Sequence, residues 1–509
     1  MNFTPLTRWA FVGRAESTDS WADKSEEIQE RMLLNLLRRG AGTEVGREYD
    51  FGSLLRSGSL PSDFANRVRA VEYEDIRPQV MRMIAGEKDV LWRGVCRDFA
   101  QSSGTSGGKS KFIPITGDSL RRCHFGGAFD SVAHYLRNNP RSRMFAGKGF
   151  ILGGSFANEL NLSDPRVHVG DLSATLIDRC PVFAQMFRIP SRETALMADW
   201  SRKLPKLIDA ASRADVTNIS GVPSWFLAVI KGILEKRQTD NLHDVWPNLE
   251  VFFHGGISFE PYRNLYRAFT DPAKMHFYET YNASEGFFAT QDTQQGGSML
   301  LILDRDVYYE FIPLGGSPDD AVGIGGVEQG RVYEMMITSS NGLWRYRLGD
   351  TVRIETTHPV RITVAGRTKR FINAFGEELM EDNAEKAMAE ACLKNGCQAS
   401  NYTVAPVYAD SAKHGRHQWL VEWVTPPADL SAFATDLDAA LRRLNSDYDA
   451  KRAGKFFLDA PEIVSLKPGV FRHWLESVGN QKLGGQRKVP RLSNDRTIAD
   501  HVLAINAAL

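Results

Sequence analysis

Gln101-Ser102-Ser103-Gly104-Thr105-Ser106-Gly107-Gly108-Lys109-Ser110-Lys111 packs three glycines, a run of serine and threonine hydroxyls and two lysines between apolar segments. Glycines let consecutive backbone N–H groups turn toward one anion, the hydroxyls donate further hydrogen bonds, and lysines add fixed positive charge. The stretch reads as a loop that holds phosphate.

Two kinds of phosphate loop compete for it. Gly108-Lys109-Ser110 matches the end of a GxxxxGK[ST] P-loop, but the opening glycine would fall at position 103, where the chain has Ser103. A P-loop also opens a helix. Here Lys111-Phe112-Ile113-Pro114-Ile115-Thr116 alternates, is β-prone and carries a proline, so the loop is expected to join two strands.

Around that loop the chain has an ordinary globular composition. Its 509 residues, 42% hydrophobic and 24% charged, suffice for one large domain and a smaller one. Lys+Arg and Asp+Glu are both 62, so no global field favours nucleic acid or an anionic membrane, and an anion site must be local. Five cysteines, Cys96, Cys123, Cys180, Cys392 and Cys397, lack any metal-type spacing and read as free thiols of a reducing compartment. With no signal-like N-terminus and no run of eighteen apolar residues, the expected location is the cytoplasm.

Upstream, Ile28, Met32, Leu33, Leu36 and Leu37 share one face of a helix over 26–39, with Gly40 as its C-cap. Further helix is expected over 73–100 and again over 119–136. From 149 to 246, apolar runs alternate with longer helical patterns, the rhythm of a mostly parallel sheet. Asn218-Ile219-Ser220 is a short strand followed by a glycine-proline turn and a helix start. Val251 to Ser258 is a buried strand ending in Gly255-Gly256, where backbone can lie flat against a ring.

A strand over 275–281 runs into Tyr281-Asn282-Ala283-Ser284-Glu285-Gly286. A carboxylate and hydroxyls directly after a buried strand sit at the carboxyl edge of a sheet, where open α/β folds bind ligands. Glu285 suits Mg²⁺, a hard cation that a carboxylate and phosphate oxygens can share. Strands over 332–338 and 343–348 flank Ser339-Ser340-Asn341-Gly342, a hairpin signal, and lead to Gly349-Asp350, an acceptor for two ribose hydroxyls. A basic break, Gly366-Arg367-Thr368-Lys369-Arg370, precedes a helix capped near Asp382 or Asn383, and the domains are expected to divide as 1–374 and 375–509.

Taken in order, the phosphate loop, Tyr281 to Glu285, Trp344 to Asp350 and Gln486 to Arg491 resemble the acyl-acid amido synthetases, the auxin-responsive Gretchen Hagen family of the luciferase-like adenylate-forming superfamily. Plant members join auxin, jasmonate or benzoates to amino acids. Their phosphate motif is identical to residues 102–108, and the other motifs resemble Tyr-x-Ser-Ser-Glu and Tyr-Arg-x-Gly-Asp. The resemblance implies an α/β fold: a large N-terminal α/β domain with a β-barrel-like portion and a smaller, mobile α+β C-terminal domain. It also implies a ligase that adenylates a carboxylic acid with ATP and Mg²⁺, releases pyrophosphate, and transfers the acyl group to an amino acid or other amine with loss of AMP.

Carried over by position, the resemblance assigns Ser102, Ser103, Thr105 and Ser106 to the ATP phosphates, and Gly255, Gly256 and Tyr281 to Ser284 to the adenine and α-phosphate. Glu285 would bind Mg²⁺, Asp350 the ribose, and Arg367 would be the basic hinge residue. Lys488 would be the mobile catalytic lysine, with Lys482 as the alternative, and Lys109 would stabilise charge at the α-phosphate. The chain departs from the pattern at Ala283, which lacks the family's serine hydroxyl, and at Gly376-Glu377-Glu378, where plant members tend to have Asp-Lys-Thr. His124 and His254 are candidate acyl-site bases or else buried structural histidines. The same adenylation motifs would also serve an acyl-CoA ligase or a non-catalytic nucleotide-binding relative; neither the acid, the amine nor the oligomeric state is legible.

Overall fold

The computed structural model describes residues 2–102, 111–156, 158, 160, 162, 164–256, 259–367, 371–372, 379–407, 415–445, 448–449, 452, 458–478, 489–493 and 495–509. They fall into two compact units. The first holds Met1–Ile257 and Leu265–Thr363, and the second Ser258–Asn264, Val364–Leu483 and Arg487–Leu509. Among the described residues, no helix is long and apolar enough to cross a membrane.

The strands of the first unit, in chain order, are β1 (Asp98–Ser102), β2 (Lys111–Ile115), β3 (Lys148–Ile151), β4 (His168–Gly170), β5 (Arg188–Ile189), β6 (Val216–Gly221) and β7 (Val251–Gly255). They continue as β8 (His276–Ala283), β9 (Gly286–Thr290), β10 (Met299–Leu301), β11 (Val307–Pro313), β12 (Val332–Ser339), β13 (Leu343–Thr357) and β14 (Val360–Arg367), the last of which crosses into the second unit. Eleven form one sheet in the order β11-β12-β13-β14-β10-β9-β8-β7-β6-β3-β5. From β5 to β8 the neighbours are parallel, and from β8 through β9 to β10 they are antiparallel. Helices at Pro223–Arg237 and Glu260–Ala268 return the chain between parallel strands, as a βα rhythm requires. β11 to β14 form one end of this sheet, which is open among the described residues.

β1 and β2 pair antiparallel from Asp98↔Ile115 to Ser102↔Lys111, so the glycine-rich segment does join two strands and opens no helix. β4 lies parallel on the other side of β1.

The helix Trp21–Gly40 buries Ile28, Met32, Leu33, Leu36 and Leu37. Its Gln29 donates from Nε2 to the carbonyls of Leu303 and Val307 and accepts from Tyr309 N, which fixes the helix to β11. Gly40 plays a different part from the expected cap. The helix continues through it into Ala41 with right-handed backbone, and a Cβ on Gly40 would lie 2.5 Å from the Trp344 ring. Glycine is required there by close approach.

The helix expected over 73–100 stops at Ile84; Gly86, at φ +95°, follows two residues later. The one expected over 119–136 begins as a π-helical turn, Ser119–His124, before Phe125–Asn138 continues as α-helix.

In the second unit, β15 (Phe371–Ile372) pairs with β16 (Leu379–Met380), and β17 (Gln398–Val407), β18 (Arg416–Thr425) and β19 (Glu462–Leu466) make a small sheet with β18 central. Ala384, Met388, Val404, Trp419, Phe433 and Leu437 form its core. The helix Glu381–Lys394 starts just before the expected capping residues. Met380 takes the cap position, and Asn383 reaches back one turn to accept from Met380 N at 3.2 Å.

Candidate active site

The carboxyl ends of β7 and β8 lie side by side, with Gly255 opposite Thr280. A Cβ on Gly255 would sit 2.3 Å from the Thr280 carbonyl oxygen, and Gly256 has φ +80°. Only glycine fits both demands, and the pair lies at the carboxyl end of β7, the edge at which open α/β sheets take ligands.

β8 delivers the second motif to the same edge. Tyr281, Asn282 and Ala283 end the strand, and Ser284 and Glu285 make the turn into β9; Tyr281, Ser284 and Glu285 are all buried. A buried carboxylate at a sheet edge has left water at a cost it must recover from a partner. The Asn341 side-chain amide, on the turn between β12 and β13, approaches the Ser284 carbonyl at 3.5 Å.

The third motif arrives from the antiparallel end. Asp350 was expected just beyond a strand, but β13 runs on to Thr357 and Asp350 lies inside it, after Gly349 at φ +75°. Tyr281 donates its hydroxyl to Asp350 Oδ2 at 2.6 Å, joining two motifs 69 residues apart in a buried hydrogen bond. This bond orients the Asp350 side chain at the place where the two motifs meet.

Arg345 bends β13 into place. It holds φ +45°, unusual for a residue with a side chain, and its guanidinium is buried against Glu310 while donating to the carbonyls of Ala65 and Val68. Burial raises the Glu310 carboxyl and Arg345 pulls it back down. The sequence showed Arg345 only as a motif letter; that it is a strained anchor follows from partners some 280 and 35 residues away.

The π-turn Ser119–His124 packs on the β8–β9 turn: Phe287 N donates to Cys123 Sγ at 3.2 Å, and His124 faces Asn282. Burial pushes the Cys123 thiol up to about 12 and the His124 imidazole down to about 4, so both are neutral near pH 7. Asn282 favours the protonated ring, the smaller of the two influences on it. π-Turns inside helices recur where a side chain must be aimed at a site.

Of the remaining candidates, Ser102 ends β1 and Arg367 ends β14. Ser103, Thr105, Ser106, Lys109, Lys482 and Lys488 lie outside the described residues. The residues right after Lys488 are described and firmly held. Thr403 donates to the Pro490 carbonyl, Val404 N to the Arg491 carbonyl, and the Arg491 guanidinium lies 4.5 Å above the Tyr402 ring while donating to Glu385. Arg491 is therefore a structural anchor that sequence reading took only as a motif end. His254 is buried at the end of β7, and its carbonyl accepts from Thr280 Oγ1.

No group of three or more His, Cys, Asp or Glu side chains able to hold a metal occurs among the described residues. The Glu285 carboxylate is a hard oxygen donor of the kind Mg²⁺ takes alongside phosphate oxygens and water.

Residues 14–275 match the GH3 family N-terminal domain, 300–367 its central domain and 382–497 its C-terminal domain. Similar proteins include the probable indole-3-acetic acid-amido synthetase GH3.1 of Arabidopsis thaliana, 23% identical over 94% of this chain and 90% of that protein. The jasmonoyl-L-amino acid synthetase JAR6 of Nicotiana attenuata is 24% identical over 65% of this chain and 67% of its own length. Among solved structures, the GH3.15 acyl acid amido synthetase superposes with a TM-score of 0.78 at 19% identity, covering 97% of this chain and 95% of that one. A 2-hydroxyisobutyryl-CoA ligase in the postadenylation state, with TM-score 0.57 and 13% identity over 98% of this chain and 92% of that one, shares the adenylate-forming fold. Three family domains matched in chain order, over the fold and the edge site described above, show that the chain belongs to the GH3 family.

Proposed function

We propose that the chain joins a small carboxylic acid to an amino acid or other amine through an acyl-adenylate. A carboxylate oxygen attacks the α-phosphorus of ATP, the α–β bridging bond breaks, and pyrophosphate leaves with the bonding pair. The amine then attacks the acyl carbon, AMP leaves with the former carboxylate oxygen, and the amine proton passes to solvent. The buried Tyr281–Asp350 hydrogen bond is the observation that most supports this reading, because it assembles two nucleotide-type motifs at the carboxyl edge of the parallel strands. The amido-synthetase relatives support an amine as acceptor.

In this reading Gly255 and Gly256 offer a flat floor to the adenine, Asp350 accepts from the ribose hydroxyls, and Glu285 is the protein ligand for Mg²⁺. The cation would neutralise charge on the departing pyrophosphate. Residues 375–509 act as a lid hinged at Arg367, and Lys488 enters the site only for adenylation. The pinned Val489-Pro490-Arg491 segment favours Lys488 over Lys482, since a lysine next to a fixed anchor loses less freedom when it acts. The five free cysteines suit a reducing compartment and support the cytoplasm.

Asp350→Ala tests the assignment. A lost hydrogen bond to a charged acceptor costs about 1.5–3 kcal/mol, so with one ribose bond lost the ATP KM in acid-dependent pyrophosphate exchange is expected to rise about 10- to 100-fold, and further if both are lost, with the acid KM within about threefold. A shift in acid selectivity at unchanged ATP KM would remove Asp350 from the nucleotide site.

A further inference from the structure

Ala283 leaves a vacancy in the donor set. The family motif has a serine hydroxyl at this place, and a methyl group cannot replace its hydrogen bond to an anionic oxygen. Directly before it stands Asn282, whose side chain can donate and accept at opposite ends of one planar amide.

The surroundings of Asn282 fix which end points where. Its Oδ1 is buried and makes no hydrogen bond of good geometry among the described residues, although the residue as a whole is half-buried. The ring beside it is His124, 1% exposed, with neither ring nitrogen in good hydrogen-bond geometry among the described residues. Of the two ends of the amide, Oδ1 is the one buried without a good hydrogen bond, on the side of the equally buried imidazole, and because oxygen and nitrogen diverge from Cγ, Nδ2 is the end that points away from it. A small rotation of either side chain would complete an imidazole N–H to Oδ1 bond. Two buried polar groups that otherwise lack a good partner both favour it.

From this we infer that Asn282 supplies, through Nδ2, the hydrogen bond to an anionic substrate oxygen that Ala283 cannot, and that His124 is the positioning residue that holds the amide in the donating orientation. The inference rests on the proposed adenylation reaction. The neutral ring matters here, because an imidazolium next to the reacting phosphate would bind ATP electrostatically whatever the amide does. The π-turn that ends at His124 packs on β9 through Cys123, whose Sγ accepts from Phe287 N, and Phe287 is the residue paired with Asn282 across the β8–β9 turn. The anionic oxygen belongs to the α-phosphate or to the acyl carboxylate, which present the same chemistry to an amide N–H.

The test is a set of variants measured by ATP–pyrophosphate exchange with whichever acid the unaltered chain uses best. Asn282→Ala is expected to lower kcat/KM about 10- to 100-fold, and adding Ala283→Ser to it should restore at least about tenfold. His124→Phe should reproduce most of the Asn282→Ala loss, His124→Gln should retain activity better than His124→Phe, and His124→Phe with Asn282→Ala should be no worse than about twofold below Asn282→Ala alone. A rise in ATP KM assigns the oxygen to the phosphate, and a rise in acid KM assigns it to the carboxylate. Failure of Ala283→Ser to rescue, or fully multiplicative losses from His124→Phe and Asn282→Ala, would overturn the inference. Absence of exchange in the unaltered chain with every acid would instead overturn the adenylation reading beneath it.

Discussion

Lys488→Ala is expected to depress acid-dependent ATP–pyrophosphate exchange by about 100-fold or more while leaving aminolysis of a supplied acyl-adenylate within about threefold. The magnitude follows from losing one preorganised charge contact to the transition state, about 3 kcal/mol at about 1.4 kcal/mol per tenfold. The asymmetry follows from the proposed lid: a lysine that enters only for the first half-reaction would have nothing to stabilise in the second. Lys482→Ala serves as the comparison and should cost less, because Lys488 is the lysine followed at once by Val489-Pro490-Arg491, whose Pro490 and Arg491 carbonyls accept from β17. Equal loss in both half-reactions would make Lys488 a general structural or binding residue and remove the argument for two lid positions.

The second large effect concerns stability. His124 and His134, each 1% exposed, are both pushed by burial to about 4, well below an ordinary imidazole near 6.5. The unfolded chain therefore binds protons on these rings as pH falls through about 6.5, whereas the folded chain stays unprotonated until about 4. Since the unfolded state holds more protons in that window, stability must fall with falling pH. Between pH 7 and pH 5 the loss comes to about 2 kcal/mol per histidine, or about 4 kcal/mol for the pair. Urea unfolding at the two pH values measures it, and His134→Leu should remove about half of the pH-dependent loss. A midpoint that does not move between pH 7 and pH 5 would mean that neither ring stays neutral in the folded chain, and a loss of about half the expected size that only one does.

What the sequence disclosed and what it withheld divide along the range of the interactions. The hairpin of β1 and β2 was legible because alternation and Pro114 are local, and they were enough to reject a P-loop. Tyr281 to Glu285 was legible as the end of a buried strand because an apolar run directly precedes it. Gly40 was not: a glycine after an amphipathic helix looks like a cap, and only the Trp344 ring 300 residues later shows that it is a packing position. Arg345 was hidden likewise, since its left-handed backbone and buried pair with Glu310 depend on another strand. The π-turn at Ser119–His124 has no periodicity of its own, so the sequence offered His124 only as one histidine among several and gave no sign that it faces Asn282. Helix Tyr73–Ile84 was extended too far because residues after Gly86 retain apolar side chains, Val90, Leu91 and Trp92, that are buried without helical backbone.

The central claim is that a carboxylate oxygen becomes bonded to the α-phosphorus of ATP, and isotope transfer tests it without assuming any residue's role. With an acid carrying ¹⁸O in both carboxylate positions, an amine acceptor and ATP, the account predicts AMP bearing one ¹⁸O per turnover, with none in pyrophosphate. ADP as the nucleotide product, or label in the phosphate or pyrophosphate released instead of in AMP, would contradict it.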